Sequence, residues 1–201
     1  MPTAPTSQPH AREQASASVD DAHLVARAQA DPRAFAPLYT RSVDLVYRYC
    51  YRRLGHPEAA ADATAQIFAK ALAALPRYRT DAPSFRSWLF TIAHNVITDD
   101  LRARRPAAPL AAAEHLSATG PSPEDEVLRR EAGSTVLALL AGLPPDQRQI
   151  LELRLAGLSG PEIAATLGRS LGSVKIAQVR AFARLRTALD PASATTQEAD
   201  A

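Results

Sequence analysis

A single cysteine, Cys50, stands in the 201 residues, so the chain can form no internal disulfide and no thiolate cluster for zinc. Aromatic residues are only 5%, which gives weight to each one in a patterned position. No apolar run approaches the ~18 residues that a bilayer span needs, and the N-terminus lacks a basic start followed by an apolar stretch. A cytoplasmic protein without membrane insertion is expected. The five histidines (His10, His23, His56, His94, His115) are scattered and include no H-x-x-x-H pair, so no metal site is expected. No Gly-rich phosphate loop follows a strand, and no Ser, His and Asp set recommends itself. Asp99 and Asp100 are adjacent, not paired on one helix face. These absences argue against an enzyme and against a cofactor. Net charge is +2, too small to name a partner, but its distribution is informative. From Arg169 to Arg186 there are five basic residues (Arg169, Lys175, Arg180, Arg184, Arg186) and no acidic one. A local basic face of this kind attracts phosphate.

What is present reads as helix throughout. Apolar residues are 46%, much of it alanine, which favours helix while adding little core volume. Residues 1–19, rich in Pro, Ser, Thr and Ala, predict a disordered extension. Asp20 or Asp21 can cap a helix to Ala30, and Asp31 the next, with Pro32 in its first turn. That helix carries Phe35, Leu38, Tyr39, Val46, Tyr47 and Cys50 at helical spacing and stops near Leu54-Gly55. Its apolar setting predicts a buried Cys50 thiol. Pro57 opens a third helix, with Ile67, Phe68, Leu72 and Leu75 on its apolar side. After the loop Pro76–Pro83, Ser84 caps a long helix holding Phe85, Trp88, Leu89, Ile92, Val96 and Ile97, which Pro106 ends.

Residues 20–105 thus form one helical domain, and residues 106–125, interrupted by Pro106, Pro109, Pro121 and Pro123, a flexible linker. Residues 126–189 form a second helical domain, with helices near 124–141, 145–156, 160–167 and 171–189, and residues 190–201 a flexible tail. The fold class is all-α, two small helical domains joined by a linker. At about 65 residues the second is small for a core of its own, so partner contacts are expected to contribute to its order.

The second domain contains a helix-turn-helix. Ser159 and Glu162 have capping-box spacing, Gly168 suits a left-handed helix end, and Ser170 can cap the second helix. Gly172, Ser173 and Lys175 then stand at a helix N-terminus, where backbone N–H groups and a lysine can meet phosphate. Val174, Ala181 and Leu185 are expected inward, with Phe182 and Leu189 closing the seam. Ile176, Val179 and Arg180 are candidates for the DNA side, since arginine pairs with guanine and apolar side chains contact thymine methyl groups. The competing interpretation is a basic amphipathic helix whose arginines reach out from a core.

Upstream, Arg77, Tyr78 and Arg79 sit in the loop bounded by prolines. A tyrosine exposed there beside arginines can stack on a splayed base while the arginines hold the backbone. Asn95, Asp99 and Arg102 continue one face of the next helix, which also carries Arg86 and His94. Such a face can read base edges, and it can equally be an ordinary solvated surface. Trp88, flanked by Phe85, Leu89 and Ile92, is expected in the core.

Four segments in order carry a resemblance. They are Asp62-Ala63-Thr64-Ala65-Gln66-Ile67-Phe68, then Leu75-Pro76-Arg77-Tyr78-Arg79 followed by Phe85-Arg86-Ser87-Trp88-Leu89-Phe90-Thr91-Ile92-Ala93-His94-Asn95, then Leu143-Pro144-Pro145-Asp146-Gln147-Arg148, and last the helix-turn-helix. From about Asp20 to Leu189 the chain resembles a bacterial RNA polymerase sigma factor of the sigma-70 superfamily, extracytoplasmic-function (ECF) group. The resemblance implies a transcription initiation factor with core RNA polymerase and promoter DNA as partners, and an anti-sigma factor as inhibitor. It implies polymerase binding through Asp62, Gln66, Ile67 and Phe68. It implies −10 binding and melting through Arg77, Tyr78, Arg79, Ser84, Arg86, Asn95, Asp99 and Arg102, with a flipped base captured by the Arg77 to Ser84 segment and the adjoining bases read by the helix with Asn95, Asp99 and Arg102. It implies −35 reading through Arg169, Ser170, Ser173, Lys175, Ile176, Val179, Arg180 and Arg184, with the linker threading toward the RNA-exit path. The sequence departs from the family pattern at Ala61, Ala65 and Gln66, where the polymerase-binding motif is usually more acidic. It also departs at His94, where Arg is frequent, and at Leu171, Ile176, Gln178 and Val179. The alternative is a helix-turn-helix regulator that binds duplex DNA without joining the polymerase.

Overall fold

The computed structural model describes residues 21–79, 84–103 and 135–190. The expected extension 1–19, the linker 106–125 and the tail 190–201 (apart from Asp190) lie outside the described residues. Helix α1 covers residues 21–30. A 3-10 turn, Pro32–Phe35, leads into α2, Ala36–Leu54, and α3 follows at Pro57–Ala74. A second 3-10 turn, Leu75–Arg77, precedes α4, Phe85–Ala103. Residues 135–141 form α5, followed by α6 Pro145–Leu155, α7 Gly160–Leu167 and α8 Leu171–Leu189. No strand occurs among the described residues.

The boundaries follow local chemistry. Asp31 accepts from the Arg33 N–H at 2.9 Å, with Pro32 filling a position that needs no donor. Gly55, at φ 76°, ends α2 and donates its N–H to Tyr51 O. Ser84 accepts from Ser87 N at 3.0 Å and so starts α4. On α7 the Ser159–Glu162 capping box is complete, and Gly168 closes that helix at φ 60°. Ser170 accepts from Ser173 N at the head of α8.

The core of the first four helices gathers Val25, Leu38, Val46, Tyr49, Ile67, Phe68, Leu89, Phe90 and Ile97. Tyr49 meets Phe90 edge-to-face at 5.4 Å, and Phe68 meets Tyr39 at 4.7 Å. Cys50 is buried, and burial pushes its thiol up to about 11, so it stays protonated and unreactive at neutral pH.

The same core continues into the second domain. Ile150, Leu153, Leu158, Ile163 and Val174 belong to it, while Leu140, Leu143, Leu151 and Ala181 form a smaller cluster on the other side of α6. Helix α6 therefore buries two faces, and α7 lies on α4. The first domain supplies the partner surface that a unit of that size lacks. Each large aliphatic side chain buried there is worth about 1.5–3 kcal/mol.

Two expectations about side chains are corrected. Phe182 and Leu189 do not close a seam; they are 52% and 63% exposed, while Val174, Ala177 and Ala181 are buried and Leu185 packs against the smaller cluster. Trp88 and Tyr78 are only half-buried, at the edge of the core.

Candidate nucleic-acid interface

The Arg77–Arg79 segment rests on a braced turn. The Leu75 carbonyl accepts from Tyr78 N at 3.0 Å, and the Gln29 side-chain amide donates to both Leu75 O (3.0 Å) and Tyr78 O (2.8 Å). Arg77 and Arg79 are exposed on either side of Tyr78. The sequence pointed to an exposed Tyr78 ring; it is instead half-buried and packs 4.9 Å from Trp88 and 6.2 Å from Phe85. An aromatic shelf of three rings thus stands beside two exposed arginines.

Along α4, Asn95, Asp99 and Arg102 are exposed at one-turn intervals. Arg102 lies 3.7 Å from Asp99, with both side chains largely in water, a pair weak enough for a nucleic acid to displace. Ser84 and Arg86 are placed otherwise. The Ser84 hydroxyl bonds the Glu162 carboxylate of α7, and Arg86 lays its guanidinium against Gly157. Gly157 has φ 87°, a backbone conformation that favours glycine, and a Cβ there would come within 2.8 Å of Arg86 Nη1, so the guanidinium would have to shift. Two of the expected −10 residues are therefore covered by the second domain in this conformation.

Helix α8 turns the other way. Lys175, Ile176, Val179, Arg180 and Arg184 are exposed, Ile176 at 55% and Val179 at 69%. Large apolar side chains standing in water between cations make a surface suited to base edges and thymine methyl groups. Ser170 and Ser173 sit at the N-terminus of α8, where free N–H groups and the helix dipole favour an anion. Arg169 stands in front of it, half-buried, with Asp146 at 4.0 Å. Arg184 reaches back to Gln147 Oε1 at 3.5 Å.

On α3, Asp62 and Gln66 are exposed one turn apart. Ile67 and Phe68 are 0% and 5% exposed and point into the core. They fix the helix that displays Asp62 and Gln66 and present no surface themselves. In the second domain, Val136, Leu139, Leu155, Phe182 and Leu185 line an open apolar groove, with Arg154 at its rim.

Between the domains lies a polar cluster that the sequence reading missed. Glu152, fully buried, receives Arg53 Nη1 at 3.2 Å and Arg148 Nε at 2.7 Å, while Arg148 also donates to Arg52 O. Burial, ahead of nearby charges, lowers the Arg52 pKa. His94 lies with Gln149 Nε2 2.9 Å from its Nδ1, and burial first, then Arg53 and Arg102, hold its pKa below the ordinary value. The Arg148–Glu152 spacing of four was visible in the sequence. Nothing in sequence pointed from α6 to Arg53, about a hundred positions away. Among the described residues, no group of His, Cys, Asp and Glu could hold a metal ion, and no helix is long and apolar enough to cross a membrane.

Comparison with known proteins gives the same two units. Residues 38–106 match Sigma-70 region 2, and residues 134–185 match Sigma-70, region 4. The ECF RNA polymerase sigma factor BldN of Streptomyces coelicolor is 37% identical over 81% of this chain, which spans 63% of that relative's length. The ECF RNA polymerase sigma factor ShbA of Streptomyces griseus is 34% identical over 81% of this chain and 92% of its own. The RNA polymerase sigma factor CnrH of Cupriavidus metallidurans is 35% identical over 85% of this chain. CnrH solved in complex with the cytosolic domain of CnrY superposes on 90% of this chain and 99% of its own, with 29% identity and a TM-score of 0.63. With both regions matched in order, and relatives at 34–37% identity, the chain belongs to the ECF group of sigma-70 RNA polymerase sigma factors.

Proposed function

We propose that this chain is a promoter-specificity subunit that joins core RNA polymerase, reads −35 DNA with α8 and opens the −10 element with the first domain. The reaction chemistry belongs to the polymerase. The observation that carries the reading is the pairing of two exposed surfaces on one chain: the cationic, methyl-seeking face of α8, and the Arg77–Arg79 turn beside Asn95, Asp99 and Arg102. Asp62 and Gln66 on α3 contact the polymerase clamp, and the apolar groove around Leu155 and Phe182 receives the polymerase flap. Lys175 and the N-terminus of α8 hold a phosphate, while Arg180, Ile176 and Val179 read bases. Arg77 and Arg79 hold the single strand while Tyr78 and its neighbouring rings meet the extruded base, which lowers the cost of melting. Such a factor works in the cytoplasm. An anti-sigma factor is its inhibitor, a partner class consistent with the complex that the similar CnrH forms with CnrY.

The test is transcription from candidate promoters by core polymerase with the full chain, comparing wild type, Lys175→Ala and Tyr78→Ala. Wild type is expected to give specific transcripts and both variants to lose most of them. Duplex binding by the chain with no transcript from active core would hand the protein to the class of plain helix-turn-helix regulators.

A further inference from the structure

Gln29 lies on α1, outside every segment assigned above to DNA or polymerase. Its half-buried side chain reaches across to the turn at the end of α3, where Nε2 donates to Leu75 O at 3.0 Å and Tyr78 O at 2.8 Å. Leu75 O ends the last turn of α3 and Tyr78 O opens the capture segment, so one amide group clamps both ends of the Leu75–Tyr78 stretch. The turn's own backbone bond runs from Tyr78 N to Leu75 O, and Pro76 has no N–H to add to it. On the far side, the Tyr78 ring rests on Trp88 and Phe85 of α4. The ring is thus fixed by α4 and the backbone beneath it by α1. Arg77 and Arg79, whose side chains are exposed, take their directions from this backbone.

We infer that Gln29 is a positioning residue for promoter opening. It presets the backbone of the capture turn so that Tyr78 and the flanking arginines meet the extruded base without first being ordered. The inference rests on the reading of the Arg77–Arg79 segment as the capture site. Its physical content is preorganisation: a turn ordered before the base arrives contributes more to the opened state than one that must be ordered at that moment. Gln29→Met keeps length and bulk and removes both donors. Gln29→Glu keeps the shape but sets carboxylate oxygens against two carbonyl oxygens, so its effect is larger.

The experiment measures the rate of promoter opening by the full chain with core polymerase, using a fluorescent base analogue in the −10 region. Templates are intact duplex and a set with a single abasic site at each non-template position of that region in turn. Core affinity, thermal midpoint and −35 duplex binding are measured alongside. Gln29→Met is expected to open the intact promoter about fivefold more slowly or worse, with core affinity and −35 duplex binding unchanged and the thermal midpoint only slightly lowered. On the template lacking the captured base, wild type and Gln29→Met are expected to open at the same rate, because the group that Gln29 serves is gone. A merely structural loss would slow opening on every template alike, and that result overturns the inference. So does an unchanged opening rate in Gln29→Met while Tyr78→Ala slows opening. If Tyr78→Ala and Arg77→Ala both leave opening unchanged, the capture reading fails first and the role of Gln29 falls with it.

Discussion

His94 shows what one residue contributes at a domain boundary. Its ring is packed between α4 and α6, with Gln149 against it, Arg53 arriving from α2 and Arg102 from its own helix. Burial and two cations favour the neutral ring, so its folded pKa lies below the ordinary value of about 6.5. A depressed histidine pKa means that the unfolded chain binds the proton more readily. The stability it contributes is full above about pH 6.5 and falls as pH drops from there through the depressed value. The thermal midpoint of wild type is therefore expected to fall between pH 7 and pH 5.5, and that of His94→Gln to fall less over the same interval. An equal slope in the two proteins would deny His94 this role. The sequence identified His94 only as standing where the family often has arginine; its partner Gln149 was out of reach, since helical periodicity says nothing of which helices meet.

At the scale of the element, local rules were enough to place most helices. Asp31, Ser84, Ser159 with Glu162, and Ser170 were all read as caps, and each one makes its bond. Glycines at 55 and 168 end helices with positive φ, as their positions suggested. These signals work because capping is settled within four residues. Burial is not, and there the reading of α8 partly failed. Val174 and Ala181 are inward as expected and Leu185 partly so, but Phe182 and Leu189 are largely exposed, Phe182 along the groove it lines with Leu139 and Leu155. The outward face of α8 supports a division of labour that can be measured. Lys175→Ala is expected to weaken binding to every −35 sequence about equally and to lower the slope of affinity against salt by about 1. Arg180→Ala is expected to cost about 1–3 kcal/mol on the preferred site and to relax specificity at one base pair. Fluorescence anisotropy with single-base variants of the duplex, at several salt concentrations, separates the two. Matching effects of both substitutions on all sequences would contradict the assignment of Arg180 to base reading.

At the scale of the whole molecule, the sequence implied two bodies on a linker, and the described helices form two groups that share a core. The reason it was not legible is distance along the chain. The contacts of Arg53 with Glu152, Ser84 with Glu162 and Ser87 with Thr166 join residues about eighty to a hundred positions apart. This closed arrangement partly covers Ser84 and Arg86 while leaving the outward face of α8 exposed, so on the proposed function the domains part before both promoter elements are gripped together. Glu152 sets part of the cost. In the closed form it pairs with Arg53 and Arg148 from a fully buried position; once the domains part, water solvates all three. Glu152→Gln leaves the cations facing a neutral amide. Breaking such a buried pair costs up to about 3–5 kcal/mol, less whatever the partly exposed Arg148 recovers from solvent. Fluorophores on α3 and α8 of the full chain are expected to move apart in Glu152→Gln at neutral pH. An unchanged transfer efficiency would show that apolar contacts alone hold the domains together.

Permanganate footprinting of the non-template strand on a candidate promoter, with core polymerase and the full chain, reaches the centre of the account. Thymines of the −10 element are expected to become reactive only when both proteins are present, and to lose that reactivity with Tyr78→Ala while −35 protection persists. A −10 element that stays unreactive with active core and wild-type chain, under conditions where α8 protects its duplex, would contradict it.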